Sequence, residues 1–245
     1  MESVLRGRDR EPGDIRSIQN YIAPYGTPIN RATFIPPAPN LVMDTLTNWE
    51  NYLHTDEKDP LVQLAVLKAQ FELIHPFRDG NGRIGRMLVP IILYNKGILS
   101  TPMFYISSYL EHHRAEYYNR LLAVSRDDDW DGWIAFFLQA LIEQATENNQ
   151  KATAIIGLYE EMKQHVPEVT HSQYAIKAID TLFSRPIFKT ADFIAESGIP
   201  KQSAHRILCE LTDGNVLMVT REGKGKSPTI LRFSRLIAIT ETSSG

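Results

Sequence analysis

The sequence predicts a mostly α-helical protein that ends in a smaller mixed module, and three observations carry that expectation. Apolar residues recur at the three- and four-residue spacing of helices along most of the chain up to about residue 215. After Pro167 the periodic units shorten, which places a domain boundary near residue 170. Two β-favouring runs follow, and they flank the glycine- and lysine-bearing segment at 223–226.

Leu41, Leu46, Trp49 and Leu53 mark the first amphipathic segment, and Leu61, Leu64, Ala65, Leu67, Phe71 and Ile74 mark the second. A third runs from about Arg83 to Lys96, closes at Gly97 and carries the kink-prone Pro90. Tyr105 to Arg126 and Trp130 to about Val166 give two more. Near the start, Gly26, Pro28, Pro36, Pro37 and Pro39 enclose the β-favouring Ala32-Thr33-Phe34-Ile35, which reads as an exposed hairpin or loop. Beyond the boundary, Gln173–Phe183, Ala191–Glu196 and Gln202–Leu211 read as short helices, with strands over Val216–Thr220 and Thr229–Phe233. That order resembles a winged helix-turn-helix over 171–245, after a first domain over 1–170.

Composition narrows the function classes. A formal charge of −3, with 43% apolar and 22% charged residues, argues against disorder and against a polybasic nucleic-acid coat. The longest apolar run, Met87 to Tyr94, is far short of the ~18 residues a membrane span needs. The charged amino terminus lacks the apolar stretch of a secretory signal. One cysteine, Cys209, excludes an internal disulfide, and a reducing cytoplasm is the expected location.

The chemistry concentrates in His75-Pro76-Phe77-Arg78-Asp79-Gly80-Asn81-Gly82-Arg83-Ile84-Gly85-Arg86, between two apolar helices. Pro76 disfavours helical geometry at His75, so the helix should stop there with the imidazole at an opening. Gly80 and Gly82 reach positive φ cheaply and Asn81 tolerates it, so the loop can turn its N–H groups inward as an anion nest. It leads into a helix whose first N–H groups, on Arg83, Ile84 and Gly85, carry a partial positive charge suited to phosphate. Arg83 and Arg86 share a face of that first turn, where cations oppose the helix dipole unless a polyanion binds. Asp79 stands beside the nest and has the chemistry of a Mg²⁺ ligand, because Mg²⁺ at nucleotides takes one or two carboxylates plus phosphate oxygens. Singly, a His-Pro or a Gly-Asn-Gly is a common turn element; their joint occurrence points to a nucleotide site.

The segment resembles the signature His-x-Phe-x-Asp-Gly-Asn-Gly-Arg-x-x-Arg of Fic-domain proteins, matched at every specified position from His75 to Arg86. Arg6-Gly7-Arg8-Asp9, Ser17-Ile18-Gln19-Asn20, Phe34-Ile35-Pro36-Pro37 and Glu116-Tyr117-Tyr118 extend the resemblance to Fic proteins with a carboxy-terminal winged helix. The resemblance implies a Fic helical fold with a small β-hairpin flap at about 27–39, and a protein adenylyltransferase that moves AMP from ATP to a Ser, Thr or Tyr hydroxyl with release of pyrophosphate. It implies His75 as general base, Asp79 on Mg²⁺, Asn81 and the loop amides on the α-phosphate, and Arg83 and Arg86 on the β- and γ-phosphates. Phe77 would anchor the loop inward, and the flap would align the target by strand addition. Self-modification belongs to the same picture.

Adenine needs an aromatic wall. Leu110, Tyr117, Leu121 and Val124 form one stripe, which assigns Tyr117 to the core and leaves Tyr118, about 100° round the helix, as the candidate nucleotide contact. The neighbouring His112 and His113 point in different directions and read as solvated rather than as a metal pair.

Many Fic proteins carry an inhibitory Ser/Thr-x-x-x-Glu-Gly/Asn helix whose glutamate pairs with the second signature arginine. That pattern does not occur in this sequence. The chain begins where an amino-terminal inhibitory helix would end, so the expectation is a constitutively competent Arg86 or a restraint supplied by another chain. The absent glutamate also counts against hydrolytic removal of AMP.

Residues 181–245 hold nine basic and six acidic side chains, against 17 and 23 in the rest. Lys201, Gln202, Ser203 and Arg206, with Lys224 and Lys226 on the wing, are where a DNA reader would place its contacts. The excess is slight, and it weighs toward protein binding or homodimerisation over DNA. Two rival functions stay open: another nucleotidyl- or phosphotransferase on the same scaffold, and a winged-helix regulator with an inactive site.

Overall fold

The structure, a computed structural model, describes residues 13–223 and 228–241. The chain divides into two compact units, residues 1–145 and 146–245.

The first unit contains α1 (Val42–Leu53), α2 (Pro60–Ile74), α3 (Asn81–Asn95), α4 (Ser107–His112), α5 (Arg114–Asp127) and the first part of α6 (Trp130–Thr170). Asp59 caps α2 by accepting the Leu61 and Val62 N–H groups at 2.9 and 3.3 Å, with Pro60 at the position that needs no donor. Leu64, Ala65, Leu67, Ala69, Phe71 and Ile74 of α2 are all buried, together with Gln63 and Lys68. A helix apolar nearly all round belongs at the centre of a core. α1, α3 and α5 pack against it, and Trp133 of α6 donates to the Ala65 carbonyl at 2.8 Å. α3 runs through the buried Pro90 and stops where Gly97 turns left-handed.

The helix expected from Tyr105 to Arg126 is two helices, broken at His113. The break is one of backbone angle at His113, φ −101° and ψ 28°, since its N–H still donates to the Tyr109 carbonyl at 3.0 Å. α6 runs past the expected end at Val166 to Thr170, because Pro167 is accommodated in the helix and the reversal comes at His171, with φ 44°. The division between the units falls inside α6, between Ala145 and Thr146, whereas the composition change at residue 170 coincides with its end.

The proline-rich 27–39 stretch is a loop closed by one bridge rather than a ladder. Ile22 pairs with Phe34, its N–H donating to the Phe34 carbonyl at 2.8 Å, and a 3₁₀ turn over Ile29–Arg31 fills the bend. Prolines at 28, 36, 37 and 39 remove the donors that further pairing would require.

The second unit follows the order α7 (Ala175–Ser184), β1 (Ile187–Lys189), α8 (Thr190–Ser197), α9 (Lys201–Asp213), β2 (Met218–Arg221), β3 (Ile230–Arg232) and α10 (Ser234–Glu241). β3 lies between β1 and β2, antiparallel to both, with Phe188 opposite Leu231 and Val219 opposite Leu231 on the other side. Ile179, Leu182, Phe193, Ile207, Leu211 and Phe233 fill the core. The sequence reading lacked β1 and α10. β1 is three residues long with only Phe188 buried, too short for a periodic signal. Among the described residues no helix is long and apolar enough to cross a membrane.

Candidate active site

α2 ends where the signature begins. His75 is its C-cap, with φ 49° and ψ 58°, and its N–H still reaches the Phe71 carbonyl at 3.1 Å. The helix stops here as Pro76 requires, but through a left-handed residue rather than an extended one, a conformation that costs ~1–2 kcal/mol outside glycine. Backing from the amino-terminal segment holds it. Arg16 N–H donates to the Pro76 carbonyl at 2.9 Å, Ile15 bridges Phe77, and Asn20 Nδ2 donates to the Phe77 carbonyl at 2.9 Å. Phe77 turns inward toward Phe71, with ring centroids 6.5 Å apart.

Gly80, at φ 86°, is the N-cap of α3, and Asp79 Oδ1 accepts its N–H at 2.7 Å. Asn81 is buried, and its side chain is committed to Phe77: Oδ1 accepts the Phe77 N–H at 2.9 Å and Nδ2 donates to the Phe77 carbonyl at 2.7 Å. The amide thus clamps the two ends of the loop.

α3 begins two residues earlier than the sequence suggested, which moves the amides of its first turn. Ile84 N–H is used by the Gly80 carbonyl at 3.0 Å, and Gly85 N–H lies inside the helical ladder. The amides of Ile84 and Gly85, expected to be unpaired, are thus engaged within the helix. The N–H groups preceding the first i→i−4 bond belong to Asn81, Gly82 and Arg83. Gly85 has a different use: a Cβ there would lie 2.5 Å from Glu72 Oε1 and 3.2 Å from the Phe71 ring, so its absence lets α3 press onto α2.

Both arginines fold back over the turn. A Cβ on Gly80 would lie 3.4 Å from Arg83 Nη2, and one on Gly82 3.4 Å from Arg86 Nη1. Arg83 is mostly exposed, and its Nη2 lies 3.6 Å from Asp79 Oδ2, a loose pair at the mouth of the loop. Arg86 forms no ion pair among the described residues. The Asp79 carboxylate is the acidic group of this mouth, and no cluster of three or more metal-ligating side chains occurs among the described residues.

Beneath the first turn of α3 lies a polar group the sequence reading passed over. Lys68 is fully buried, pairs with Glu72 one turn on, and donates to the Tyr117 hydroxyl at 3.1 Å. Burial pushes the Lys68 ammonium down and the Tyr117 phenol well up, and Glu72 opposes the first and reinforces the second. Burial also pushes His75 below the ordinary histidine value, against the pull of Glu72. A lysine and a glutamate four apart in a largely apolar helix were the available signal.

Tyr118 stands half-exposed on α5, edge-on to Tyr117 at 5.2 Å and 5.9 Å from the Arg114 guanidinium carbon. Tyr117, Leu110, Leu121 and Val124 are buried, as the stripe predicts. A separate cavity of about 550 Å³ lies against the flap, lined by Phe34, Ile35, Pro37, Trp49, Gln70 and Trp130 among others, and does not include the signature loop. In the second unit, Lys201, Gln202 and Arg206 are exposed on α9, with Arg206 paired to Glu210 at 3.3 Å. Lys224, Lys226 and the segment Arg6-Gly7-Arg8-Asp9 fall outside the described residues.

Comparison with known proteins matches the same region. Residues 4–93 fit the model of the Fic/DOC family. A probable protein adenylyltransferase of Aquifex aeolicus (strain VF5) is 39% identical over 70 residues, 28% of this chain and 22% of that protein. The protein adenylyltransferase fic-1 of Caenorhabditis briggsae is 34% identical over 90 residues, 36% of this chain and 16% of its own length. The chain thus spans only about a fifth of the length of these curated relatives. A Fic family protein from Desulfovibrio desulfuricans G20, known from a crystal structure, superposes with a TM-score of 0.53 at 20% identity, over 94% of this chain and 65% of that one. The mostly helical fold and the stretch that holds the signature loop are what this chain shares with the Fic/DOC proteins.

Proposed function

We propose that this chain is a protein adenylyltransferase, with ATP as the nucleotide and the hydroxyl of a protein side chain as the acceptor. The observation that carries the reading is the clamp of Asn81 on Phe77, which ties the histidine-bearing end of α2 to the amino terminus of α3. An imidazole and an anion-binding helix end are thereby held on one short loop.

The N–H groups of Asn81, Gly82 and Arg83 would take the phosphate next to the base, and Arg83 and Arg86 the outer phosphates. Two cations against a helix amino terminus are favourable only with such an anion present. His75 Nδ1 is buried, which leaves Nε2 to accept the hydroxyl proton. As the oxygen attacks the α-phosphorus, the bond to the bridging oxygen breaks and pyrophosphate leaves; base assistance of this kind is worth ~10²- to 10⁴-fold. Asp79 fits a Mg²⁺ ligand: its carboxylate is partly exposed beside the nest, and a single carboxylate with phosphate oxygens is what Mg²⁺ takes at nucleotides. The ion would neutralise charge on the triphosphate. Tyr118 would stack on the adenine, and the 27–39 loop would present its edge to the target segment.

For residues 171–245 the order helix, strand, helix, helix and two-stranded hairpin supports a winged helix, with the modest charge of α9 favouring a protein or a second copy over DNA.

Incubation with α-labelled and γ-labelled ATP tests the activity. Incorporation of the α label alone, lost in His75→Ala, is the expected result. Transfer of the γ label would mean a phosphotransferase, and transfer of neither would leave a regulator.

A further inference from the structure

Arg16 is 2% exposed, and among the described residues it has no carboxylate partner. A buried guanidinium without an acid is expensive, and desolvation pushes its proton affinity down. Its compensation is entirely backbone. Nε donates to the His75 carbonyl at 2.9 Å and Nη2 to the Ile74 carbonyl at 3.3 Å, the two carbonyls at the end of α2, where a cation also suits the helix dipole.

A cap for α2 would need nothing more, yet the same Nη2 also donates to the carbonyl of Pro37, at the base of the flap. Gln19 makes the parallel contact, donating to the Pro36 carbonyl at 2.9 Å. The segment 15–20, which bends at Ser17 and Ile18, therefore lies against the back of the histidine-bearing turn with one set of donors and holds the flap base with another.

We propose that Arg16 is a positioning residue that locks the base-bearing turn at His75 and the flap base at Pro36–Pro37 into one register. Target alignment and proton abstraction are then set by a single guanidinium fork touching neither nucleotide nor target. The proposal rests on the reading of His75 as base and of 27–39 as flap. With Nη1 donating to the Ile18 carbonyl at 3.5 Å, the planar fork serves four carbonyls at fixed angles; a lysine ammonium keeps the charge but not the geometry.

The test compares wild type, Arg16→Lys and Arg16→Gln by AMP-transfer kinetics and by amide hydrogen exchange. In Arg16→Gln, kcat should fall about 10²-fold, the cost of a misplacement near 1 Å, with KM for ATP unchanged within about twofold. Arg16→Lys should fall between. Exchange should accelerate together at 75–77 and 33–38 while α2 and α3 stay protected. Acceleration at only one of the two segments, an undiminished kcat, or a KM for ATP that rises in step would overturn the proposal. So would global unfolding of both variants, which would make Arg16 a structural staple. If wild type transfers no AMP, the function assigned above fails, while the exchange data still decide whether Arg16 couples the two segments.

Discussion

The ammonium of Lys68 donates to the phenol of Tyr117 at 3.1 Å, and with Glu72 it forms a buried polar cluster directly under the turn that carries the two signature arginines. Gly85 leaves the room for it. Removing one partner of a buried pair typically costs ~3–5 kcal/mol, because the remaining charge is stranded. Lys68→Met should therefore destabilise the first unit by about that amount, and Lys68→Met combined with Glu72→Leu by distinctly less. Urea denaturation of the single and double variants measures the difference. A double variant no more stable than the single one would show that the pair is not the source of the cost.

Gly80 tests the loop. Alanine at φ 86° pays ~1–2 kcal/mol of backbone strain and sets a methyl against the Arg83 guanidinium. Gly80→Ala should weaken ATP binding by about tenfold, the equivalent of 1.4 kcal/mol, in a titration calorimeter. Wild-type affinity would mean that the nest does not hold the nucleotide.

For His75 the pH sense follows from burial. Its folded value lies below the ordinary 6.5, so the neutral, proton-accepting form persists to lower pH than for a free histidine. The acid limb of kcat/KM should have its midpoint below 6.5. The same linkage acts on stability: between 6.5 and the folded value the unfolded chain binds the proton that the folded chain refuses, so this contribution to stability is lost as pH falls through that window. A pH–rate profile and melting curves from pH 7 to 5 check both.

Arg86 forms no ion pair among the described residues. Arg86→Ala should then lower AMP transfer, because a phosphate contact is lost and no restraint is lifted. Substantially faster transfer in that variant would reveal an inhibitory partner for this arginine.

Much of this was legible in the chain itself. The helical period places α1, α2, α3 and α6 within a few residues, because each buries a face or more of regularly spaced apolar side chains. The stop at His75 follows from Pro76, and Tyr117 falls in the core by its stripe. Local departures were harder to read. The break at His113 is a departure of one residue's backbone angles with no marker in the apolar period, and α3 starts early where Asn81 clamps Phe77, so that the first-turn amides are those of Asn81, Gly82 and Arg83.

The sequence by itself determined where most of the helices of the first unit run, that a glycine-bearing turn joins two of them at residues 75–86, and which residue types stand there. Only the tertiary structure decided that Arg16, 59 positions from His75, holds the histidine's own carbonyl, and that Lys68 and Tyr117, 49 positions apart, meet under the signature turn. Periodicity and turn chemistry are short-range properties of neighbouring residues, whereas pairing a buried cation with distant acceptors is settled by how the whole core closes and leaves no marker in the local pattern.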